Sequence, residues 1–210
     1  MKVCLFSDVH GNLPAMEKML ALCADADLYI SLGDIVNYGP WSNECVELLN
    51  SIKYKICIRG NHEDAFMKGS YPGSNEIAKA FFEFCYPSFN KKELIDNYQT
   101  DYFLEDFKCV HTIDDSYIYP DTELNLDGNY FIGHSHRQFT TSSNGYKLCN
   151  TGSVGQNRVN INLINYAEYD TNTKIIDLKR ITYNSDIVID KMSEMKYPKT
   201  CIDYYRSKQQ

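Results

Sequence analysis

Three short apolar runs near the start of the chain, Lys2–Phe6, Leu28–Leu32 and Tyr54–Ile58, each stop at a polar cluster, and amphipathic segments separate them. This alternation narrows the fold more than any other feature. Leu13–Cys23 carries apolar residues at 13, 16, 19, 20 and 23, the spacing of one helix face. Ser42–Leu49 reads as a second helix, with Ser42 or Asn43 as its N-cap. A β-α-β-α-β order requires parallel strands joined by crossover helices. Chemistry in such sheets gathers at the carboxyl ends of the strands, which is where the polar clusters fall.

The stretch from about 64 to 98 is more polar and helix-rich, and Ile77–Phe84 carries an aromatic face of Phe81, Phe82 and Phe84. The second half reads as strands at Phe107–Val110, Tyr130–Ile132, Gln138–Ser142, Tyr146–Cys149, Val159–Tyr169 and Lys174–Ile181. Asn144-Gly145 is a hairpin turn between two of them. Ser185–Met195 reads as a last helix, and Tyr204–Gln210 as a frayed end. The composite is a mixed, two-sheet architecture with helices outside. At 210 residues the chain is expected to be one domain, with a core over about 1–182 and a C-terminal helix and tail over 183–210.

A composition of 43 % hydrophobic and 23 % charged residues excludes wholesale disorder. The net charge of −7 argues against a nucleic-acid backbone as partner, since that needs clustered Lys and Arg. No apolar run has the roughly 18 residues of a membrane helix, and no signal peptide is evident. The expectation is a cytoplasmic protein without a membrane partner. None of the eight cysteines forms a C-x-x-C pair, so they are expected to be reduced and buried.

All five histidines sit just after strand-like runs. The clusters are Asp8-Val9-His10, Gly33-Asp34, Gly60-Asn61-His62, Val110-His111 and Gly133-His134-Ser135-His136. Side chains at i and i+2 of an extended chain point the same way, so each pair can converge on one site. Taken singly, D-x-H, H-x-H and G-N-H are ordinary caps and turns; together, in order, they use every histidine of the chain. Imidazole with carboxylate suits Mn, Fe, Zn, Co or Ni better than Ca or Mg. Such a set exceeds what one tetrahedral site needs and suffices for two ions sharing a carboxylate, an arrangement that supports attack at phosphorus.

In this order the motifs resemble those of the calcineurin-like metallophosphoesterase superfamily. The flanks Phe6-Ser7-Asp8-Val9-His10-Gly11-Asn12, Gly33-Asp34-Ile35-Val36-Asn37-Tyr38-Gly39-Pro40 and Asn150-Thr151-Gly152-Ser153-Val154-Gly155-Gln156 are similar to its small bacterial and archaeal branch of single-domain phosphodiesterases. The resemblance runs from residue 3 to about 182. It implies a four-layer α/β/β/α sandwich of two mixed β-sheets flanked by helices. It also implies one metal ion held by Asp8, His10 and His136, another by Asn61, His111 and His134, and Asp34 bridging them. By the same resemblance His62 lies beside the phosphate and protonates the leaving group or stabilises the transition state, and Asn12 touches the phosphate. Departures are Glu63 for the usual Asp, Thr112 for a frequent Gly, Asn37 for a common Gly, and Asn157-Arg158-Val159 for Pro-Arg-Asp. None removes a ligand; they bear on substrate choice.

The resulting expectation is a phosphodiesterase with two divalent transition-metal ions, manganese foremost, with Fe, Zn, Ni or Co as alternatives. Coordination brings the pKa of water from 15.7 to about 7, which supplies a nucleophile. The expected partner is a small phosphate ester: a phosphodiester, a nucleotide or a dinucleoside polyphosphate. Alternatives are a protein-binding scaffold of the same fold, disfavoured because His62 and all seven ligand positions are intact, and a metal-dependent nuclease, disfavoured by the acidic charge. Tyr38 and Trp41 either stack on a base or pack as core. Tyr71-Pro72-Gly73 and the Phe81–Phe84 helix form a lid, a face for a homo-oligomer, or ordinary core.

Overall fold

The computed structural model describes residues 1–209. The first half runs β1 (Lys2–Phe6), α1 (Leu13–Leu22), β2 (Leu28–Ser31), α2 (Ser42–Ser51), β3 (Lys55–Cys57), α3 (Asn61–Lys68), α4 (Glu76–Cys85) and α5 (Lys92–Ile95). The second half runs β4 (Asp101–Leu104), β5 (Phe107–Val110), β6 (Asn129–Ile132), β7 (Gln138–Ser143), β8 (Tyr146–Thr151), β9 (Leu163–Asp170), β10 (Ile175–Thr182), α6 (Asp186–Glu194) and α7 (Lys199–Arg206). Two mixed five-stranded sheets form, in the orders β10-β9-β1-β2-β3 and β4-β5-β6-β8-β7. In the first sheet β1, β2 and β3 pair in parallel, as the alternation of apolar runs and helices demands. In the second, β5, β6 and β8 are parallel, and β4 and β7 close the edges antiparallel.

Strand β1 shows how one apolar run serves two layers. Successive side chains of a strand point to opposite faces. Val3 and Leu5 therefore pack between the sheets against Phe107, Phe131 and Tyr169. Cys4 and Phe6 join the helix-side core with Met16, Val46 and Phe66. A strand covered on both faces reads as an unbroken hydrophobic run. The outer face of the second sheet carries a smaller cluster, Ile132, Phe139 and Leu148, under Ile118 and Leu126 of the long β5–β6 connection.

Three elements differ from the sequence reading. Strand β4 was not anticipated, because its mixture of polar and apolar residues is that of an edge. Strand β9 begins at Leu163 rather than Val159, because Asn157 Oδ1 accepts hydrogen bonds from the backbone N–H of Val159 and Asn160 and holds a turn there. The C-terminal end is helical through Arg206 rather than frayed, anchored by the buried Cys201 and Tyr205. The eight cysteines are free and buried, as expected. Among the described residues no helix is long and apolar enough to cross a membrane.

Candidate metal centre

The candidate ligands lie where the carboxyl ends of the two sheets meet. Asp8 and His10 follow β1, Asp34 follows β2, and Asn61 and His62 open α3 after β3. From the second sheet come His111 after β5, and His134 and His136 after β6. The loops are laced together by main-chain bonds. Asp8 N–H donates to Gly33 O at 3.0 Å, His10 N–H to Asp34 O at 3.0 Å, and Gly155 N–H to Asp8 O at 3.0 Å. Gly60 has no room for a side chain, since a Cβ there would overlap Asp34 Oδ1.

Convergence arises differently from the extended-chain expectation. Asp8, His10, Asp34, His134 and His136 all have left-handed backbone, with φ of 56°, 49°, 57°, 66° and 58°. Non-glycine residues rarely adopt this region, and strain of this kind costs of order 1–3 kcal/mol per residue. In both D-x-H and H-x-H the two ligand residues are left-handed, and the chain turns both side chains inward.

The side chains form two groups. In the first, Asp8 Oδ1 lies 3.2 Å from His136 Nε2 and 3.7 Å from His10 Nε2. The two Nε2 atoms are 3.2 Å apart. In the second, His111 Nε2 lies 3.2 Å from Asp34 Oδ2, 3.1 Å from Asn61 Oδ1 and 3.0 Å from His134 Nδ1. Asp34 Oδ2 also lies 3.9 Å from His10 Nε2, so one oxygen faces both groups. Atoms bound at about 2.1 Å to one ion sit roughly 3–3.5 Å apart when adjacent, and these separations match that spacing.

The hydrogen bonds behind the ligands fix their tautomers. His10 Nδ1–H donates to Val36 O at 3.1 Å, His136 Nδ1–H to Gln156 O at 2.6 Å, and His111 Nδ1–H to Leu32 O at 2.7 Å. Each Nε2 is thereby turned inward, the support that metal-ligating histidines receive. His10 Nε2 and His136 Nε2 face one another at 3.2 Å, as two ligand atoms of one cation would. The carboxylates are divided in the same way. Asp8 Oδ2 accepts from His134 N–H and Asp34 Oδ1 from His62 N–H. Asp8 Oδ1, fully buried, faces the His136 and His10 rings but forms no well-aligned hydrogen bond among the described residues, and a buried unpaired carboxylate oxygen is costly unless it binds a cation. These observations together fit a divalent metal centre.

The electrostatics agree. Burial opposes ionisation of Asp34, but His111 and His62 hold its carboxyl far below the usual range. Burial likewise opposes ionisation of Asp8, which His136 and His10 hold well below it. Burial alone would pull His111 down; Asp34 beside it reverses this and raises it to about 10. In the metal-free chain a proton on His111 thus stands in for positive charge, and ion binding displaces it. Burial lowers His134 to about 4 and His62 to about 3, leaving both neutral.

His62 lies beside the ligand groups, its Nε2 4.0 Å from Asp34 Oδ2. Its Nδ1 accepts from Asn37 Nδ2 at 2.9 Å, which places the ring proton on Nε2, the atom turned towards the centre. Asn12 stands apart from the group. Its oxygen caps α1 at Ala15 N–H, and its amide hydrogens go to Gly155 O at 2.8 Å and Tyr183 Oη at 2.7 Å. With both hydrogens given away inside the fold, it has no donor for a phosphate. Tyr38 is buried between the rings of His10 and Phe81, each 4.7 Å away, so it packs as core rather than as a platform for a base. Trp41 and the Phe81–Phe84 face also pack into the helix-side core.

Four residues take positions that the sequence reading did not give them: Asn37, Glu63 and Arg158, named there only as departures, and Tyr117, not named at all. Asn37 orients His62, and its left-handed backbone suits asparagine. Buried Glu63 accepts from four main-chain N–H groups, those of Asp34, Ile35, Val36 and Gly60. A Glu at the third position of a helix is a capping signal that could have revealed it. Tyr117 stacks on His134 with centroids 4.1 Å apart, and Arg158 lies over the Tyr117 ring at 5.4 Å. Nothing in the local sequence marks Tyr117. A cavity of about 430 Å³ opens beside Asn61, His111 and His134, walled by Arg59, Lys68 and Pro72.

Comparison with known proteins follows this geometry. The chain is 26 % identical to an uncharacterized protein of Methanocaldococcus jannaschii over 93 % of each chain. It is 39 % identical to the phosphodiesterase YfcE of Escherichia coli over 72 residues, 29 % of this chain and 39 % of that one. The crystal structure of a metallophosphoesterase from Sphaerobacter thermophilus shares the fold, with a TM-score of 0.76 at 24 % identity over 98 % of this chain and 99 % of that one. A family profile described as calcineurin-like phosphoesterase matches residues 1–159, a span that contains every candidate ligand and Arg158. The chain therefore belongs to the calcineurin-like phosphoesterase family and is a metal-dependent phosphoric ester hydrolase.

Proposed function

We propose that the protein is a phosphodiesterase that uses two divalent transition-metal ions, manganese foremost, to hydrolyse a small phosphodiester or nucleotide. The observation that carries this reading is Asp34 Oδ2, which faces His10 Nε2 on one side and His111 Nε2 on the other. Asp8, His10 and His136 would hold one ion; Asn61, His111 and His134 the other; Asp34 would serve both. Bound there, the ions supply Lewis acidity that activates water at neutral pH and offsets charge on phosphoryl oxygens.

The chain's own residues do the rest. The Nδ1–H···O=C bonds of His10, His111 and His136 keep the ligand atoms aimed before substrate arrives. His62 presents Nε2–H to the centre, held in that tautomer by Asn37. A phosphate anion beside the ring opposes the effect of burial and draws its pKa up. His62 can then give a proton to the leaving oxygen. Asn61 sits at the mouth of the 430 Å³ cavity, which has room for the leaving group.

The test is hydrolysis of bis(p-nitrophenyl) phosphate by chelator-stripped protein, with and without added Mn²⁺. Turnover restored by the ion is the expected result; a folded protein inert with every divalent ion would remove the reading. In the same assay His62→Ala should keep its metal content while kcat falls by about 10²-fold or more. Unchanged turnover would take His62 out of the reaction.

A further inference from the structure

Arg158 lies near the second group of candidate ligands and has no task in the proposed hydrolysis. Its guanidinium is half-buried and lies over the Tyr117 ring, 5.4 Å from the centroid. Tyr117 in turn stacks on His134, 4.1 Å between centroids and 29° between planes. The cation is therefore one aromatic layer away from a candidate ligand of the second group.

It has no carboxylate partner among the described residues. Arg59, by contrast, is paired with Asp64 and Asp96. A partly desolvated cation without a counter-charge is unfavourable until an anion arrives. The aromatic residue beneath it restricts the guanidinium, and the donors not engaged by Tyr117 are left for that anion. Asn157, by holding the following turn through Val159 N–H and Asn160 N–H, fixes the backbone from which Arg158 projects.

We propose that Arg158 is a specificity-determining residue that receives a second phosphate of the substrate, adjacent to the phosphorus under attack. The proposal rests on the phosphoesterase reading, since the metal centre takes the first phosphorus. It names the substrate class as phosphoanhydride-linked compounds, nucleoside diphosphate and polyphosphate esters, in preference to simple diesters. In their hydrolysis the oxygen of water bonds to the phosphorus at the metal centre. The bridging P–O bond breaks, and the departing phosphate takes the bridging oxygen and a proton. Arg158 offsets the charge that this departing phosphate gathers.

The experiment compares wild type with Arg158→Gln on diadenosine diphosphate and on bis(p-nitrophenyl) phosphate, with metal content measured for both proteins. A charge-assisted pair to phosphate corresponds to roughly a 10–100-fold effect. The loss in kcat/KM should be larger on the diphosphate than on the single-phosphorus diester by about tenfold or more, carried mainly by KM. Arg158→Lys should recover part of it, since the charge returns without the fork. Calorimetry should show inorganic pyrophosphate binding about tenfold more weakly to Arg158→Gln, with a smaller change for orthophosphate. Equal losses on both substrates, or pyrophosphate binding unaltered by the substitution, would overturn the proposal. Wild-type protein inert on both substrates would instead overturn the phosphoesterase reading, while the pyrophosphate titration would still decide the role of Arg158.

Discussion

Asp34→Ala should purify with markedly less bound metal than wild type and turn over bis(p-nitrophenyl) phosphate at least about 10³-fold more slowly, the several kcal/mol that ion-based charge stabilisation supplies. One side chain has this reach because its two oxygens do different work. Oδ2 faces His111 at 3.2 Å and His10 at 3.9 Å, while Oδ1 accepts from His62 N–H at 2.9 Å. The substitution removes the oxygen shared by both groups, loosens the start of α3, and takes away the charge that keeps His111 protonated in the metal-free chain. Asp34→Asn retains the bond to His62 N–H and should lose less order but nearly as much metal. Elemental analysis beside steady-state kinetics decides it. Full metal content with kcat within about tenfold of wild type would remove Asp34 from the centre.

The second large effect concerns stability. Glu63→Ala should lower the unfolding free energy by about 4 kcal/mol or more, because four buried N–H groups lose their acceptor at once and each orphan donor costs about 1–3 kcal/mol. The donors are Asp34 and Gly60 on Oε2, both at 2.8 Å, and Ile35 and Val36 on Oε1, at 2.8 and 3.2 Å. For a chain of this size that is a fall in Tm of about 8–16 °C by calorimetry. Burial and the neighbouring Asp34 push the Glu63 carboxyl up, while the main-chain donors oppose them. Glu63→Gln should fall in between, since the amide nitrogen meets two donors that it cannot satisfy. A Tm within about 3 °C of wild type for Glu63→Ala would mean that the loop after β2 holds its own shape.

Much of this arrangement was legible in the sequence. The parallel β1-β2-β3 sheet follows from runs of apolar residues broken by helical spacing, and the seven ligand-type residues are conspicuous because they end strands. Edge strand β4 was not legible, because its pairing partner rather than its own pattern makes it a strand. The left-handed backbone at Asp8 and His10 was not legible either; no local preference asks an aspartate and a histidine for positive φ, and tertiary hydrogen bonds impose it. Asn12 sat in the right motif, yet its amide is spent on Gly155 and on Tyr183, residues far along the chain. Arg158 and Tyr117 meet across a loop of 40 residues, and only the fold reveals that one covers the other.

Each ligand group draws on both sheets: His10 and His136, whose ring nitrogens are 3.2 Å apart, are separated by 126 residues of chain. No peptide fragment, and neither sheet alone, contains a complete set of donors. A metal ion held by both His10 and His136 would therefore be captured only after this long stretch of chain had closed, and the entropy of that closure has to be met first by the hydrophobic contact between the sheets. An ion held by both groups of donors would act as a latch on that long-range contact: the sheets could not part without releasing it. Loss of metal and separation of the sheets would then be coupled events in unfolding, and an ion that left slowly would confer kinetic persistence on a chain that the sheet contact alone would hold more loosely.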